Sequence, residues 1–545
     1  MAEKQTLCQD KSRPALSLQE ILQKPSRFRL YIWRGNPPGF VPEALALFTA
    51  LVMFIPILYV MVRGFQGGWE RWLSLLDTRI PQLLWNTLSL TAAVSLGALL
   101  IGVVAAWLVT RTDLPYRRTW AWLLALPLVI PPYVGAISYI IIFGPQGLLR
   151  NILGHSPVDI YSFGGVALVL TLFTYPYVYL ITSAALKRFN LNYEEAGRIA
   201  GLSYPQVFLK IILPLLRPAM GAGFLLVALY TLADFGLVSM LRYTTFTTAI
   251  YFQTGSFDRH SAAVLSMVLI MITLVILGLE YRTRSRQKYF QTAGSYREPD
   301  PLQLGRWRPA ALAGLGIIAA AALGLPLSVL VYWSYYGIAR SALDSRFLEY
   351  SYHSLLTAGA AAAACAVLAL PLVYLKSRHP SVLSSFYEKL ALAGYALPGV
   401  IIALGMVFIF NNYIPALYGT AVVLVLAYII RFLPQAMQAE SSSLNQVSPR
   451  LDEAGRSLGY SPWQVVTRLI LPLIRPGVLA GMALVFVNAV KELPATLLLR
   501  PPGMDTLAVR IWIEASEGFY EMAAPASLLI IIVSALPLKW LISRF

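Results

Sequence analysis

Long runs without a single Asp, Glu, Lys or Arg restrict this chain more than any other feature. They occupy residues 44–62, 80–110, 119–149, 160–186, 309–339, 350–375 and 390–430. About 20 apolar residues in a helix cross the hydrocarbon core of a bilayer, and lipid leaves a backbone no option but to satisfy its own N–H and C=O groups. Each run therefore predicts a spanning helix. The run 390–430 is too long for one, and Asn411-Asn412-Tyr413-Ile414-Pro415 supplies the turn that splits it. Runs at 218–241, 261–279, 476–499 and 522–538 complete twelve spans, two of them carrying acids. The expected fold is an all-α polytopic membrane protein. Composition agrees: only 13% of the 545 residues are charged, against about 25% in soluble domains, which excludes a soluble enzyme. With 24 Phe, 30 Tyr and 12 Trp, disorder is excluded too.

The few charges are distributed unevenly. With the N-terminus in the cytoplasm, the inside segments hold 31 Lys and Arg and the outside loops 9. That split follows the positive-inside rule and predicts both termini inside. The net charge of +17 then reports topology and not nucleic acid. Residues 1–42 form a basic cytoplasmic tail with no apolar core and cleavage site of a signal peptide. Cys8 and Cys365 lie in a polar tail and an apolar run, so neither a disulfide framework nor a metal cluster is expected.

The chain also repeats itself. Residues 195–218, EAGRIAGLSYPQVFLKIILPLLRP, align without a gap on 453–476, EAGRSLGYSPWQVVTRLILPLIRP, with 14 of 24 positions identical at an offset of 258. Pro176 and Pro434 keep that offset, and Pro131 and Pro398 match at 267. Six spans separate the copies, so the halves are parallel: 43–281 and 309–545, joined by the basic linker 282–308. Both repeated segments (190–218 and 448–476) then face the cytoplasm. Ser448-Pro449 and Asn190 are positioned to cap a short helix. Gly201 and Gly459 end it where a positive φ is useful. Ser203 with Gln206, and Ser461 with Gln464, form capping-box patterns that start a second helix. Arg217-Pro218 and Arg475-Pro476 are expected to close each hairpin before the next span. An amphipathic connector explains one copy; two gap-free copies point to one shared task, gripping two equivalent partner surfaces.

Glu195-Ala196-Gly197, Gly201 and Leu213-Pro214, with Glu453-Ala454-Gly455, Gly459 and Leu471-Pro472, resemble the cytoplasmic coupling motif of bacterial ABC-importer membrane subunits. Two departures are visible: Gly stands for the usual second Ala in both copies, and Leu469 for Ile in the second. The resemblance covers nearly the whole chain as two fused six-helix units of the type I fold. It narrows at Thr231-Leu-Ala-Asp234-Phe-Gly236, Lys491-Glu492-Leu-Pro494, Asp505-Thr-Leu-Ala-Val-Arg510 and Glu517-Gly-Phe-Tyr520, which look like the ferric-iron uptake permeases. It implies a homodimeric ABC ATPase docked on the coupling segments, a periplasmic ferric-iron-binding protein on the outer loops, and residence in the bacterial inner membrane. It also implies no cofactor held by this chain, ATP and Mg being used by the partner. No Gly-x4-Gly-Lys-Ser/Thr occurs, so the chain is not itself the hydrolase.

Asp234 and Glu492 occupy matching repeat positions in the fifth and eleventh spans. An acid inside a span normally faces a partner or a water-filled path, so the pair is either a way-station for a hard cation, in passing contact only, or a structural ion pair with Lys491. The two readings are compatible if the pair forms a closed gate. Arg431 matches Phe173 in the other half and is expected to snorkel at the cytoplasmic end of its span. His155, His260 and His353 are singletons without ligand spacing. Tyr175, Tyr177 and Tyr179 are expected to pack. The same architecture fits import of thiamine, polyamine, sulfate or phosphonate. An ion-driven secondary transporter is the alternative from another class, and it gives no reason for twin coupling hairpins.

Overall fold

The computed structural model describes residues 39–256, 258–285, 301–340 and 344–542. Residues 1–38 of the basic tail with Cys8, residues 286–300 of the linker, and the last three residues lie outside the described residues. Among the described residues, eleven helices are long and apolar enough to cross a membrane. They are α1 (Phe40–Gln66), α2 (Ile80–Arg111), α3 (Pro132–Leu153, interrupted at Gly144–Gly147), α4 (Phe163–Lys187), α5 (Phe208–Ala233), α6 (Arg259–Leu279), α7 (Gly305–Ala339), α8 (Phe347–Arg378), α10 (Ala421–Leu444), α11 (Pro462–Val490) and α12 (Tyr520–Pro537). The twelfth expected span, α9 (Gly399–Tyr413), is apolar but only 15 residues long. Pro131 and Pro398, matched in the repeat, immediately precede α3 and α9 in the same extended conformation. They set the same entry angle in both halves.

Each half is built on one three-helix core. In the first, α2, α4 and α5 pack on one another; in the second, α8, α10 and α11 do. Small residues bring these helices together at equivalent points. A Cβ on Gly223 would lie 3.1 Å from Val178 Cα, and one on Gly481 would lie 3.0 Å from Ala436 Cα. Both pairs are separated by the same 258 residues. The first helix of each half is shared with the other half: α1 packs on α6, α8 and α9, whereas α7 packs on α12 and α3. The halves are therefore clasped and not merely abutted.

Two expectations about helix boundaries are corrected. Arg217-Pro218 and Arg475-Pro476 do not close the hairpins. Both prolines lie inside continuous helices, Leu213–Ala233 and Leu471–Val490. Pro214 and Pro472 lack the N–H for an i−4 bond and would clash with the carbonyl there. A wider π turn directly ahead of each, Phe208–Ile212 and Val465–Ile470, absorbs that defect without breaking the helix. The fifth and eleventh spans, in turn, stop short of the expected 241 and 499. α5 ends at Ala233 and α11 at Val490, and the chain re-forms as the short helices Gly236–Met240 and Pro494–Leu499.

Candidate functional site

Those two breaks face each other across the interface between the halves. A cavity of about 120 Å³ lies there, lined by Asp234, Glu492, Lys491 and Arg431 and by Tyr133, Tyr177, Tyr230, Phe173 and Asn488 among others. The acids do the same local work. Asp234 Oδ2 accepts the N–H groups of Leu237 (3.1 Å) and Val238 (3.2 Å), and Glu492 Oε1 accepts that of Ala495 (3.2 Å). Each carboxylate thus starts the short helix after its break, where free backbone N–H groups favour an anion.

The cations are not symmetric. Arg431 Nη1 lies 3.0 Å from Glu492 Oε1, with the side chain of the acid only 5% exposed. This overturns the expectation that Arg431 snorkels to the cytoplasmic edge: burial beside an anion is more favourable than the interface because the charge finds its partner. Lys491 is not that partner. Its Nζ donates instead to the carbonyl oxygen of Leu128, 3.1 Å away in the other half. Tyr177 packs against the core as expected and also lines the cavity, its ring 5.5 Å from that of Tyr230; Tyr175 is buried. Among the described residues, no group of three or more His, Cys, Asp and Glu side chains could hold a metal. His353 meets the Asp505 carbonyl oxygen (3.2 Å) and lies apart from the cavity.

At one end of α2 and α8 sit the two repeated segments. The helices Asn192–Ile199 and Arg450–Ser457 begin with the side chains of Asn190 (3.1 Å to Asn192 N) and Ser448 (3.4 Å to Arg450 N) accepting backbone N–H groups. They end at Gly201 and Gly459 with φ +83° and +86°, where Leu202 N bonds to Gly197 O and Tyr460 N to Gly455 O, both 3.1 Å. Ser461 and Gln464 close a full capping box, and Gln206 Oε1 accepts from Ser203 N at 2.9 Å. The departure from Ala to Gly has a physical reason. A Cβ on Gly197 would lie 2.4 Å from Ile211 Cδ1, and one on Gly455 2.6 Å from Leu469 Cδ1. The short helix is seated directly on the helix that follows.

The anchor of each hairpin went unnoticed in the sequence. It is the acid before the motif glutamate. Glu194 pairs with Arg111 and Asp452 with Arg378 (3.2 Å), all four side chains less than a tenth exposed. Tyr374 adds a hydroxyl donor to Asp452 (3.2 Å). Burial pushes the Glu194 carboxyl above its ordinary range, against the pull of Arg111. The acids keep the 258 offset and the arginines the 267 offset of Pro131 and Pro398, which is the signal that would have found them. Glu195 is half-buried and Glu453 exposed; Ala196 and Ala454 are exposed. Tyr193 and Ile199 on one hairpin, with Leu451, Leu458 and Trp463 on the other, present large apolar surface.

At the opposite end of α8, Arg510 gathers carboxylates. It lies 2.9 Å from Glu514 and 3.6 Å from both Asp344 and Asp505, and Asp505 also pairs with Arg500. In the first half Arg71 pairs with Asp258 (3.1 Å), which accepts from Gln253.

Comparison with known families matches the binding-protein-dependent transport system inner membrane component twice, at residues 98–291 and 366–543. The chain belongs to this family. The two matches correspond to the two halves, each a permease unit in the type I fold. The permease is 34% identical over 507 residues to the Fe(3+)-transport system permease protein FbpB 2 of Haemophilus influenzae, covering 92% of this chain and 97% of that protein. It is 27% identical over 492 residues to the ferric transport system permease protein FbpB of Actinobacillus pleuropneumoniae (85% and 71%). A sulfate transport system permease protein, CysW of Escherichia coli, is 28% identical over 259 residues, covering 88% of itself but 45% of this chain. A one-unit relative thus spans about one half of the molecule. The permease is a multi-pass inner membrane protein and the membrane component of an ABC transporter.

Proposed function

We propose that this chain carries ferric iron, delivered by a periplasmic binding protein, across the inner membrane by alternating access, driven by ATP that a separate pair of identical ATPase subunits hydrolyses. One observation carries the reading: two matched carboxylates meet in one cavity at the interface between the halves, and each is joined by a continuous helix to one of the two hairpins. Oxygen donors suit a hard trivalent cation. Full-length similarity to proteins named as ferric permeases supports iron over sulfate, thiamine, polyamine or phosphonate.

The mechanics follow from the helices. From Tyr204 to Ala233, and from Pro462 to Val490, the hairpin's second arm is the spanning helix itself, about 44 Å long at 1.5 Å per residue. ATPase closure that draws the hairpins together moves Asp234 and Glu492 with them, as a rigid-body change. In this reading the hairpins and both termini are cytoplasmic, Glu195 and Glu453 face the ATPase, and Lys491 with Arg431 closes the gate. Gly201 and Gly459 hold the bend, while Leu213-Pro214 and Leu471-Pro472 form the π-turn joint.

The test is radioactive-iron uptake by cells expressing the complete importer. Asp234→Asn combined with Glu492→Gln is expected to lower uptake at least tenfold at equal membrane abundance, the scale on which intramembrane ionisable groups act. Unchanged uptake at unchanged abundance would remove the acids from the path.

A further inference from the structure

Resting on the reading above, we propose that Arg431 is a tethered counter-ion: its guanidinium stands where the cargo cation is to be held, and an arriving trivalent cation displaces it from Glu492. Five observations carry this. The acids recur in both halves, but Arg431 is matched by Phe173 and Lys491 by Ala233, so neutralisation comes from one half only. Of the two cations only Arg431 touches an acid (3.0 Å), Lys491 being seated on the Leu128 carbonyl oxygen. The Arg431 side chain keeps 19% of its surface open against 5% for Glu492, so the arginine is the partner with room to leave. Tyr133 lines the same cavity with a buried hydroxyl that has no hydrogen-bond partner among the described residues, a spare oxygen beside the acids. The pair is also built in: a Cβ on Gly399 would lie 1.9 Å from Arg431 Nη1 and 2.4 Å from Glu492 Oε1, so the backbone of α9 leaves the space that the contact needs.

An unpaired buried carboxylate is costly, and the guanidinium removes that cost while no cargo is present. Two carboxylates make a weak resident site, as suits an ion in transit. The cation class is hard and trivalent, bound through carboxylate and phenol oxygen.

The probe is Tb³⁺, whose luminescence is sensitised by nearby tyrosines, titrated into the purified full chain in phosphate-free lipid nanodiscs. Arg431→Gln is expected to tighten Tb³⁺ binding roughly tenfold or more, as removal of one adjacent positive charge from a low-dielectric site requires. Gly399→Ala, which separates the pair without altering any charge, is expected to tighten it about threefold. Asp234→Asn should weaken binding in either background. Lys491→Gln is the control for net charge and should move affinity less than Arg431→Gln. Unchanged affinity in both Arg431→Gln and Gly399→Ala overturns the proposal, as does a Lys491→Gln effect equal to that of Arg431→Gln. Failure here leaves iron import standing; if iron is not the cargo, the Tb³⁺ shifts persist while iron uptake is absent.

Discussion

Each hairpin hangs on one buried charge pair, and the pair tolerates no partial loss. Removing one partner of a buried ion pair leaves the other charge uncompensated, at a cost of about 3–5 kcal/mol. Arg378→Ala is therefore expected to lower the thermal midpoint of the purified permease more than Arg450→Ala, an arginine at the start of the hairpin helix Arg450–Ser457. Differential scanning fluorimetry distinguishes the two, and equal midpoints contradict the anchor role. On the opposite face the balance differs. The Asp344 carboxyl is held below its ordinary range by the backbone N–H of Arg346 and the Tyr350 hydroxyl, with Arg510 assisting. An acid whose pKa is depressed on folding contributes stability above its unfolded value, 3.8, and loses it as pH falls through the folded value. Hydrogen exchange over residues 344–354 should thus be unchanged between pH 7 and pH 5 and accelerate only below 3.8, after correction for intrinsic exchange. Acceleration already at pH 5 would contradict that assignment.

At the scale of helices, close approach through glycine decides how the halves are clasped. A Cβ on Gly405 of α9 would meet the Pro56 carbonyl oxygen of α1 at 2.6 Å, and backbone cannot yield as a side-chain tip does. Gly405→Ala is expected to destabilise by about 1–3 kcal/mol through overpacking, read as a lower thermal midpoint; an unchanged midpoint would show that α1 and α9 slide freely. Here the limits of the sequence are clear. Charge-free runs located the spans because lipid penalises every charge alike, and the 258-residue offset paired both hairpins and both acids. Helix continuity was not legible. Pro218 and Pro476 read as the close of each hairpin because proline removes a hydrogen bond, yet both lie inside continuous helices. The partner of Glu492 was missed for another reason: proximity in sequence favoured Lys491, but at the break after Val490 the lysine reaches the Leu128 carbonyl oxygen instead. Arg431 became available only through packing of α10 on the short helix Pro494–Leu499. Its signal had been its lack of a counterpart.

In the molecule as a whole, a symmetric machine carries an asymmetric charge. Two hairpins, two anchors, two interrupted helices and two acids obey the repeat, while Arg431 and Lys491 break it at the centre. That division is what a transporter with two equivalent drive points and one cargo path requires, because drive acts on each half whereas cargo crosses once. Clasping by α1 and α7 holds the halves together. Coupling of iron delivery to ATP hydrolysis through this chain is the consequence most open to direct test. The direct measurement is ATPase activity of the full complex in proteoliposomes with its binding protein either iron-loaded or empty. Stimulation by the iron-loaded form, and little by the empty one, is the expected result. Equal activity with both, or stimulation only by a binding protein loaded with sulfate, would contradict it.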